Sequence, residues 1–390
     1  MAIGRRKKGP PRPGPPQTRL RRVLARVAWP ALTIVALGLV ALTLVTHLSS
    51  GTRHTLVVAA IPYWNVQHDT SVVLANRHDV NEVSPWIYGL SSNGTIETQY
   101  PAGQAGAVTS DMARLRSAGL RLVPSIANVT NGAFSAQPVD RVLQSPARTR
   151  AQVAAIVALV DKQKYAGIDI DYEDLPAASR QAFTRFVTEL AAALHAHQKV
   201  LSVAVFPQTS SSTAADQVTG AQDYAAIGRV ADQVRIMGYN YHWANSGSGA
   251  VAPVSWVRSV LKYATSQMPA SKVVLGIPLF GYDWPDGKQP AQTISWLQAL
   301  RLSRHYHVTA SYDKASQAPH FTYSSGGRAH TVWFENAESS KAKFEAVKGN
   351  SVAGVYLWMY GYEDPGTWSA LHATLPTAGA GASSTSSEVP

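Results

Sequence analysis

The sequence predicts an α/β fold, a closed (β/α)8 TIM barrel, from two observations. Between residues 55 and 360, short apolar runs bounded by turn or helix signals recur eight times. Helical patterns lie between several of them, most clearly over residues 176–199, where Pro176 precedes an apolar stripe at i, i+3, i+4 spacing. Eight alternating units favour a closed barrel over an open doubly wound sheet. The runs are TLVVAAIPYW, VSPWIYGL, RLVPSIAN, YAGIDIDYE, LSVAVFP, QVRIMGYNY, KVVLGIPLFGYDW and AGVYLWMYGY.

One connection of the predicted barrel is too long to be simple. Residues 285–350, between the seventh and eighth runs, contain strand-like HFTYSSGGRAHTVWFE and helix-like SSKAKFEAVK. We expect a small inserted α+β lobe there, within a barrel domain that covers residues 52–375. The last segment, residues 376–390, is small and polar, which is typical of a disordered tail.

The basic charge of the chain is concentrated at its start. Residues 1–26 hold nine of the 35 Lys and Arg residues and no acid, so the remaining 26 basic residues face 24 acidic ones. The formal net charge of +11 therefore belongs to a short tail. Nucleic-acid binding is disfavoured, because the predicted barrel lacks the basic stripe that phosphate backbones require.

An uncharged stretch follows the basic tail. Residues 27–46 are long enough to cross a hydrocarbon core of about 30 Å as a helix. We expect a transmembrane signal anchor over residues 27–48, with the basic tail 1–26 in the cytoplasm and the barrel outside the cell membrane. A cleaved signal peptide is the alternative, although its apolar core would be shorter, about 7 to 15 residues. The sequence has no cysteine, so the exported domain would be stable without disulfides.

Three carboxylates occupy alternate positions in the fourth run, YAGIDIDYE. Residues two apart on a strand point to the same face with Cα atoms about 6.6 Å apart, so Asp169, Asp171 and Glu173 should crowd together. Repulsion between them would keep one acid protonated near neutral pH. In a (β/α)8 barrel, the carboxyl end of a strand is where catalytic groups lie. The pattern therefore predicts a catalytic acid cluster.

These residues belong to a longer resemblance. The segment Gly167 to Glu173 resembles the DxxDxDxE signature of glycoside hydrolase family 18, the chitinase-like enzymes, with Ala166 in place of the first Asp. LVPSIAN, RIMGYNY, GIPLFGYDW and GVYLWMYGYEDPGTW resemble the third, sixth, seventh and eighth strands of the family in order. The resemblance covers about residues 55–372. The lobe segment VWFENAESSKAKF is similar to bacterial spore-cortex-lytic and spore-germination hydrolases.

The resemblance implies retaining hydrolysis assisted by the substrate's own 2-acetamido group. Glu173 would be the general acid and base, Asp171 would orient the acetamide N–H and share a proton with Glu173 or Asp169, and Tyr239 would hydrogen-bond the acetamide oxygen. For the remaining candidates, an ordinary core or turn position is the alternative. Substrate-binding roles are expected for Ser125, Met237, Asn240 and Trp358 by resemblance, and for Tyr63, Trp86 and Tyr282 by their places near strand ends.

The implied substrate is an N-acetylated polysaccharide with β-linked N-acetylglucosamine. Peptidoglycan is favoured over chitin, because a membrane anchor would place the barrel beneath a cell wall and because the lobe resembles spore-cortex enzymes. The alternative function is a carbohydrate-binding barrel without turnover, but such relatives usually lack the acid that Glu173 provides. We expect a monomer with no cofactor and no metal, since the histidines show no ligand spacing.

Overall fold

The computed structural model describes residues 54–212, 219–287 and 290–376. The predicted basic tail 1–26, the predicted anchor 27–48 and all but the first residue of the predicted tail 376–390 lie outside these ranges. Within them, no helix combines the length and the apolar character needed to span a bilayer.

The described residues contain a closed barrel of eight parallel strands, which confirms the predicted fold class. Each strand pairs with its neighbours in sequence, and the first strand also pairs with the eighth, so the barrel sheet has no free edge. The strands are nearly continuous apolar runs because helices cover their outer faces. They are β1 (Leu56–Pro62), β2 (Glu82–Leu90), β3 (Ser125–Ala127), β4 (Gly167–Asp171), β5 (Val200–Val205), β6 (Gln233–Ile236), β7 (Val273–Pro278) and β8 (Gly354–Trp358).

Helices surround the barrel and bury their apolar faces against it. The stripe predicted over residues 176–199 lies on α5, where Phe183, Phe186, Val187, Leu190 and Leu194 are all fully buried. The described helices are α1 (Val66–Ala75), α2 (Ala105–Ser117), α3 (Ala136–Leu143), α4 (Pro146–Lys162), α5 (Arg180–Ala196), α6 (Tyr224–Val230), α7 (Val254–Gln267), α8 (Trp296–His305), α9 (Ala337–Gly349) and α10 (Gly366–Thr374).

Several helices begin at residues that satisfy the free N–H groups of the first turn. Ser145 precedes Pro146 at the start of α4, and its hydroxyl accepts a hydrogen bond from the N–H of Arg148. Ser295 and Gln298 form a capping box at the start of α8. Such caps stabilise a helix by about 1 kcal/mol and fix where it starts.

A second sheet of five antiparallel strands lies between β7 and β8. Its order is Gln292–Ser295, Phe280–Pro285, Arg328–Trp333, Ala318–Ser325 and Ser311–Asp313. The sheet begins five residues before the predicted start of the lobe at 285, because the seventh run divides at Leu279 between the barrel and the lobe. Within the predicted range 285–350, α9 packs in the main core of the barrel through Phe344 and Val347.

Candidate active site

The three predicted acids form a column at the carboxyl end of β4. Asp169 and Asp171 are the third and fifth residues of the strand and are buried, whereas Glu173 lies two residues beyond Asp171 and is partly exposed. Alternate residues of a strand point the same way, so the column leads from the barrel interior to the open end of the barrel. Asp171 Oδ1 is buried and has no hydrogen-bond partner among the described residues.

Burial controls the protonation of the upper two acids. It raises the pKa of Asp171 to about 7, helped by the negative charge of Asp169 and opposed by interactions with Trp86 and Glu173. Burial also raises the pKa of Glu173 well above its usual range, and the charges of Asp171 and Asp174 act in the same direction. Glu173 therefore holds its proton more strongly than an exposed glutamate does, as a general acid must.

Side chains from β2 and β3 hold the two aspartates. Trp86 Nε1 donates to Asp171 Oδ2 at 2.8 Å. Ser125 Oγ donates to Asp169 Oδ2 at 2.8 Å. Both contacts join residues far apart in sequence, so the barrel itself supplies the partners of the β4 acids.

The position of Glu173 depends on Asn128, a buried residue that the sequence reasoning missed. The Asn128 side chain accepts a hydrogen bond from the Glu173 N–H at 2.8 Å and donates one to the Glu173 carbonyl at 2.8 Å. A further bond from Asn128 Nδ2 to the Ser135 carbonyl fixes the amide at 3.0 Å. Asn128 directly follows β3, and nothing in its local sequence indicates contact with Glu173.

A cavity of about 250 Å³ lies above the column. Seven of the predicted site residues line it: Asp171, Glu173, Tyr239, Met237, Asn240, Trp86 and Trp358. Six other residues complete the lining: Trp64, Phe134, Ala204, Phe206, Pro207 and Tyr356.

Four predicted residues lie behind the cavity lining. Asp169 and Ser125 are below it in the barrel interior. Tyr63 stacks on the inner side chain Trp86, with ring centroids 5.8 Å apart. Tyr282 belongs to the lobe sheet, and its hydroxyl donates to Asn240 Oδ1 at 3.0 Å. Such residues can support the lining but do not face the cavity.

One side of the cavity is aromatic. The ring centroid of Trp358 lies 6.3 Å from that of Trp64 and 6.2 Å from that of Trp86. Trp64 is 49% exposed and Phe134 is 37% exposed, which is unusual for large apolar side chains. Exposed aromatic faces beside acids are suited to stacking on sugar rings.

The opposite side presents Tyr239 and Asn240 from the end of β6. Burial raises the pKa of the Tyr239 hydroxyl well above its usual range, so the group stays neutral and can donate a hydrogen bond. Gly276 makes room for this ring, since a Cβ there would lie 2.8 Å from Tyr239 Cε1. Asn240 has a φ of 62°, a left-handed conformation that asparagine tolerates better than most residues.

The described residues include no group of three or more His, Cys, Asp or Glu side chains arranged to bind a metal ion. The chemistry that the described side chains can supply is proton transfer by Glu173, charge from Asp171 and hydrogen bonding by Tyr239 and Asn240.

Comparisons with known proteins agree with this arrangement. The family model of Glycosyl hydrolases family 18 matches residues 56–363. The cortical fragment-lytic enzyme of Bacillus anthracis is 34% identical over 251 residues, which are 63% of this chain and 58% of that protein. The chain thus spans little more than half the length of that relative.

Two solved structures share the fold closely. The Bacillus cereus spore cortex-lytic enzyme SleL has a TM-score of 0.75 at 28% identity, over 84% of this chain and 76% of that one. A chitinase from Chromobacterium violaceum ATCC 12472 has a TM-score of 0.75 at 26% identity, over 82% of this chain and 98% of that one.

Proposed function

Since the chain belongs to glycosyl hydrolases family 18 and is a glycoside hydrolase, we propose that it cleaves glycans containing β-linked N-acetylglucosamine by a substrate-assisted, retaining mechanism. The observation that carries the proposal is the neighbouring pair of Glu173 and Asp171, two acids that affect each other's pKa and line one cavity together with Tyr239. The pair supplies one proton and one negative charge at the same place.

In the first step, Glu173 protonates the glycosidic oxygen as the bond from that oxygen to C1 breaks. The carbonyl oxygen of the substrate's 2-acetamido group attacks C1 from the other face and forms an oxazolinium ion. Asp171 accepts a hydrogen bond from the acetamide N–H and balances the positive charge that develops there. The neutral hydroxyl of Tyr239 donates to the acetamide oxygen and holds it in the geometry of attack.

In the second step, water attacks C1 and opens the oxazolinium ion. Glu173, now a carboxylate, takes the proton of that water and returns to its starting state. Two inversions at C1 give net retention of configuration. The described acids that line the cavity are Asp171 and Glu173. Because Asp171 Oδ2 is held by Trp86 and Asp171 Oδ1 has no partner among the described residues, a role in accepting from the acetamide N–H suits Asp171 better than nucleophilic attack.

Peptidoglycan is the substrate that we favour. The relatives in the comparisons include a cortical fragment-lytic enzyme and a spore cortex-lytic enzyme. The predicted anchor over residues 27–48 supports the same choice, because it would hold the barrel outside the membrane and next to the cell wall. Chitin is the second candidate, supported by the similarity to a bacterial chitinase.

The test compares two substrates under equal conditions. The full-length protein is incubated with purified peptidoglycan glycan chains and with chitin hexamer, and products are identified by mass spectrometry. Release from peptidoglycan is expected, with the β-anomer formed first when the reducing ends are followed by NMR. Release from chitin alone would move the substrate to chitin. Binding of both glycans without any release would support the sugar-binding alternative instead.

A further inference from the structure

A buried arginine lies beneath the acids, and the proposed mechanism does not use it. Arg235 is on β6, is fully buried, and reaches across the barrel interior to β2 and β4. Its Nη2 donates to Glu82 Oε1 at 2.8 Å and its Nη1 donates to Ser84 Oγ at 2.6 Å. The same Nη1 lies 3.4 Å from Asp169 Oδ2. Arg235 therefore forms ion pairs with two buried carboxylates.

The charges at the base of the barrel balance when Asp169 is ionised. Glu82 also forms an ion pair with Arg121 at 3.4 Å, from a side chain that is half exposed outside the barrel. Two arginines thus face two carboxylates, Glu82 and Asp169. Because an unpaired charge is costly in a protein interior, this arrangement favours a carboxylate at Asp169 rather than a carboxylic acid.

We propose that Arg235 is a positioning residue, which holds Asp169 as a carboxylate and thereby confines the exchangeable proton of the acid column to the Asp171–Glu173 pair. The inference rests on the proposed function, because that pair is where the glycosidic oxygen receives its proton. Arg235 does not line the cavity, so it acts through Asp169 rather than on the substrate.

Hydrogen bonding at Asp169 supports this role. Asp169 Oδ2 accepts from Ser125 and faces Arg235, whereas Asp169 Oδ1 is buried and has no partner among the described residues. A proton taken up by Asp169 would therefore reside on Oδ1. Asp169 would then be a hydrogen-bond donor two residues from Asp171. It would compete with Glu173 for the Asp171 carboxylate. The positive charge of Arg235 disfavours that uptake.

The other titratable groups near Asp169 cannot replace this charge. Arg235 faces Asp169 from β6. The other titratable groups that interact with Asp169 are Tyr356 on β8, Asp171 on β4 and Tyr239 after β6. The tyrosines are neutral, because burial raises the pKa of each hydroxyl well above its usual range. The Tyr356 ring also packs against the Arg235 guanidinium, 5.3 Å from its centroid.

The test is a pH titration of Asp169 by ¹³C NMR in full-length protein labelled at the aspartate carboxyl carbons, with Asp169→Asn to assign the signal. In Arg235→Met, the titration midpoint of Asp169 should rise by about one pH unit, as expected for loss of a nearby positive charge. KM should stay constant, because Arg235 does not line the cavity. Arg235→Lys should restore the midpoint.

Two further variants guard against a folding defect. The double variant Arg235→Met with Glu82→Gln removes a buried cation and a buried anion together, and it should show the same rise. Glu82→Gln alone leaves the charge of Arg235 less balanced, so the Asp169 midpoint should fall. An unchanged midpoint in a folded variant without Arg235 would overturn the inference. The titration needs no turnover, so absence of hydrolysis by the wild-type protein would refute the proposed function separately.

Discussion

Replacing Asn128 with alanine should lower turnover without changing the affinity for substrate. The Asn128 side chain makes three hydrogen bonds to backbone groups, two of them to Glu173. It does not line the cavity and is fully buried. The substitution therefore removes the support of the general acid and leaves the sugar-binding surface intact.

The hydrogen bonds determine how large each effect should be. Asn128→Ala leaves one N–H and two carbonyl groups without their partner, at about 1–3 kcal/mol for each group that stays buried. Water can reach the partly exposed Glu173, so we expect a loss of about 2–4 kcal/mol in the free energy of unfolding. A displacement of the Glu173 carboxyl by about 1 Å would lower kcat by about 10²-fold.

Asn81 provides a matched control at the other end of the barrel. Its side chain accepts from the Val57 N–H at 2.7 Å and donates to the Thr55 carbonyl at 3.3 Å, so Asn81→Ala also removes amide bonds to backbone groups. Chemical denaturation and steady-state kinetics on both variants separate the two effects. Asn81→Ala should lose stability and keep its kcat. Equal kcat in the two variants, or a higher KM with unchanged kcat in Asn128→Ala, would refute the reasoning.

Glu173→Gln should lower kcat by about 10²–10⁴-fold while oligosaccharide binding by calorimetry stays intact, because the amide keeps the shape but cannot protonate the leaving group; near-normal turnover would remove the proposed role. Asp171→Asn should also impair turnover severely. Burial raises the pKa of Asp171 from 3.8 to about 7, so the folded wild-type protein binds the extra proton and loses stability as pH rises between these values. Asp171→Asn carries no charge at this position at either pH. The Tm of Asp171→Asn minus that of the wild type should therefore be larger at about pH 8 than at about pH 4, and a difference that does not change with pH would contradict this. If residues 27–48 anchor the protein, protease added to intact cells should remove the barrel, and a mature protein that begins near Gly51 and washes off membranes would exclude an uncleaved anchor.

The parts of the site that could be predicted are those whose residues lie close together in one strand segment. Asp169, Asp171 and Glu173 are neighbours in sequence, and the two-residue period of a strand places them on one face. Their supporting partners come from other strands. Asn128 lies 45 residues from Glu173, and Arg235 lies between apolar residues of a run that reads as an ordinary strand. The sequence pattern shows which strands exist, but not which side chains meet across the barrel.

Local turns limited the prediction of the cavity lining. Tyr63 was predicted to bind substrate, but the chain leaves β1 in a 3-10 turn at Tyr63–Asn65, where strand alternation no longer applies. As a result Trp64 lines the cavity, and Tyr63 packs behind it on Trp86. The seventh run reads as one long strand, yet it divides at Leu279, so Tyr282 belongs to the lobe sheet rather than to β7.

The division at Leu279 also determines where the chain can change in length. One residue separates β7 from the lobe strand Phe280–Pro285, in which Tyr282 points toward Asn240 and Asp283 points to the opposite side, toward Tyr323. An insertion or deletion of one residue at Leu279 would exchange these two faces, since side chains alternate along a strand. The turn at Gly326 and Gly327, at the far end of the lobe, carries no such constraint. Insertions and deletions should therefore accumulate at that turn and be absent from the junction with β7.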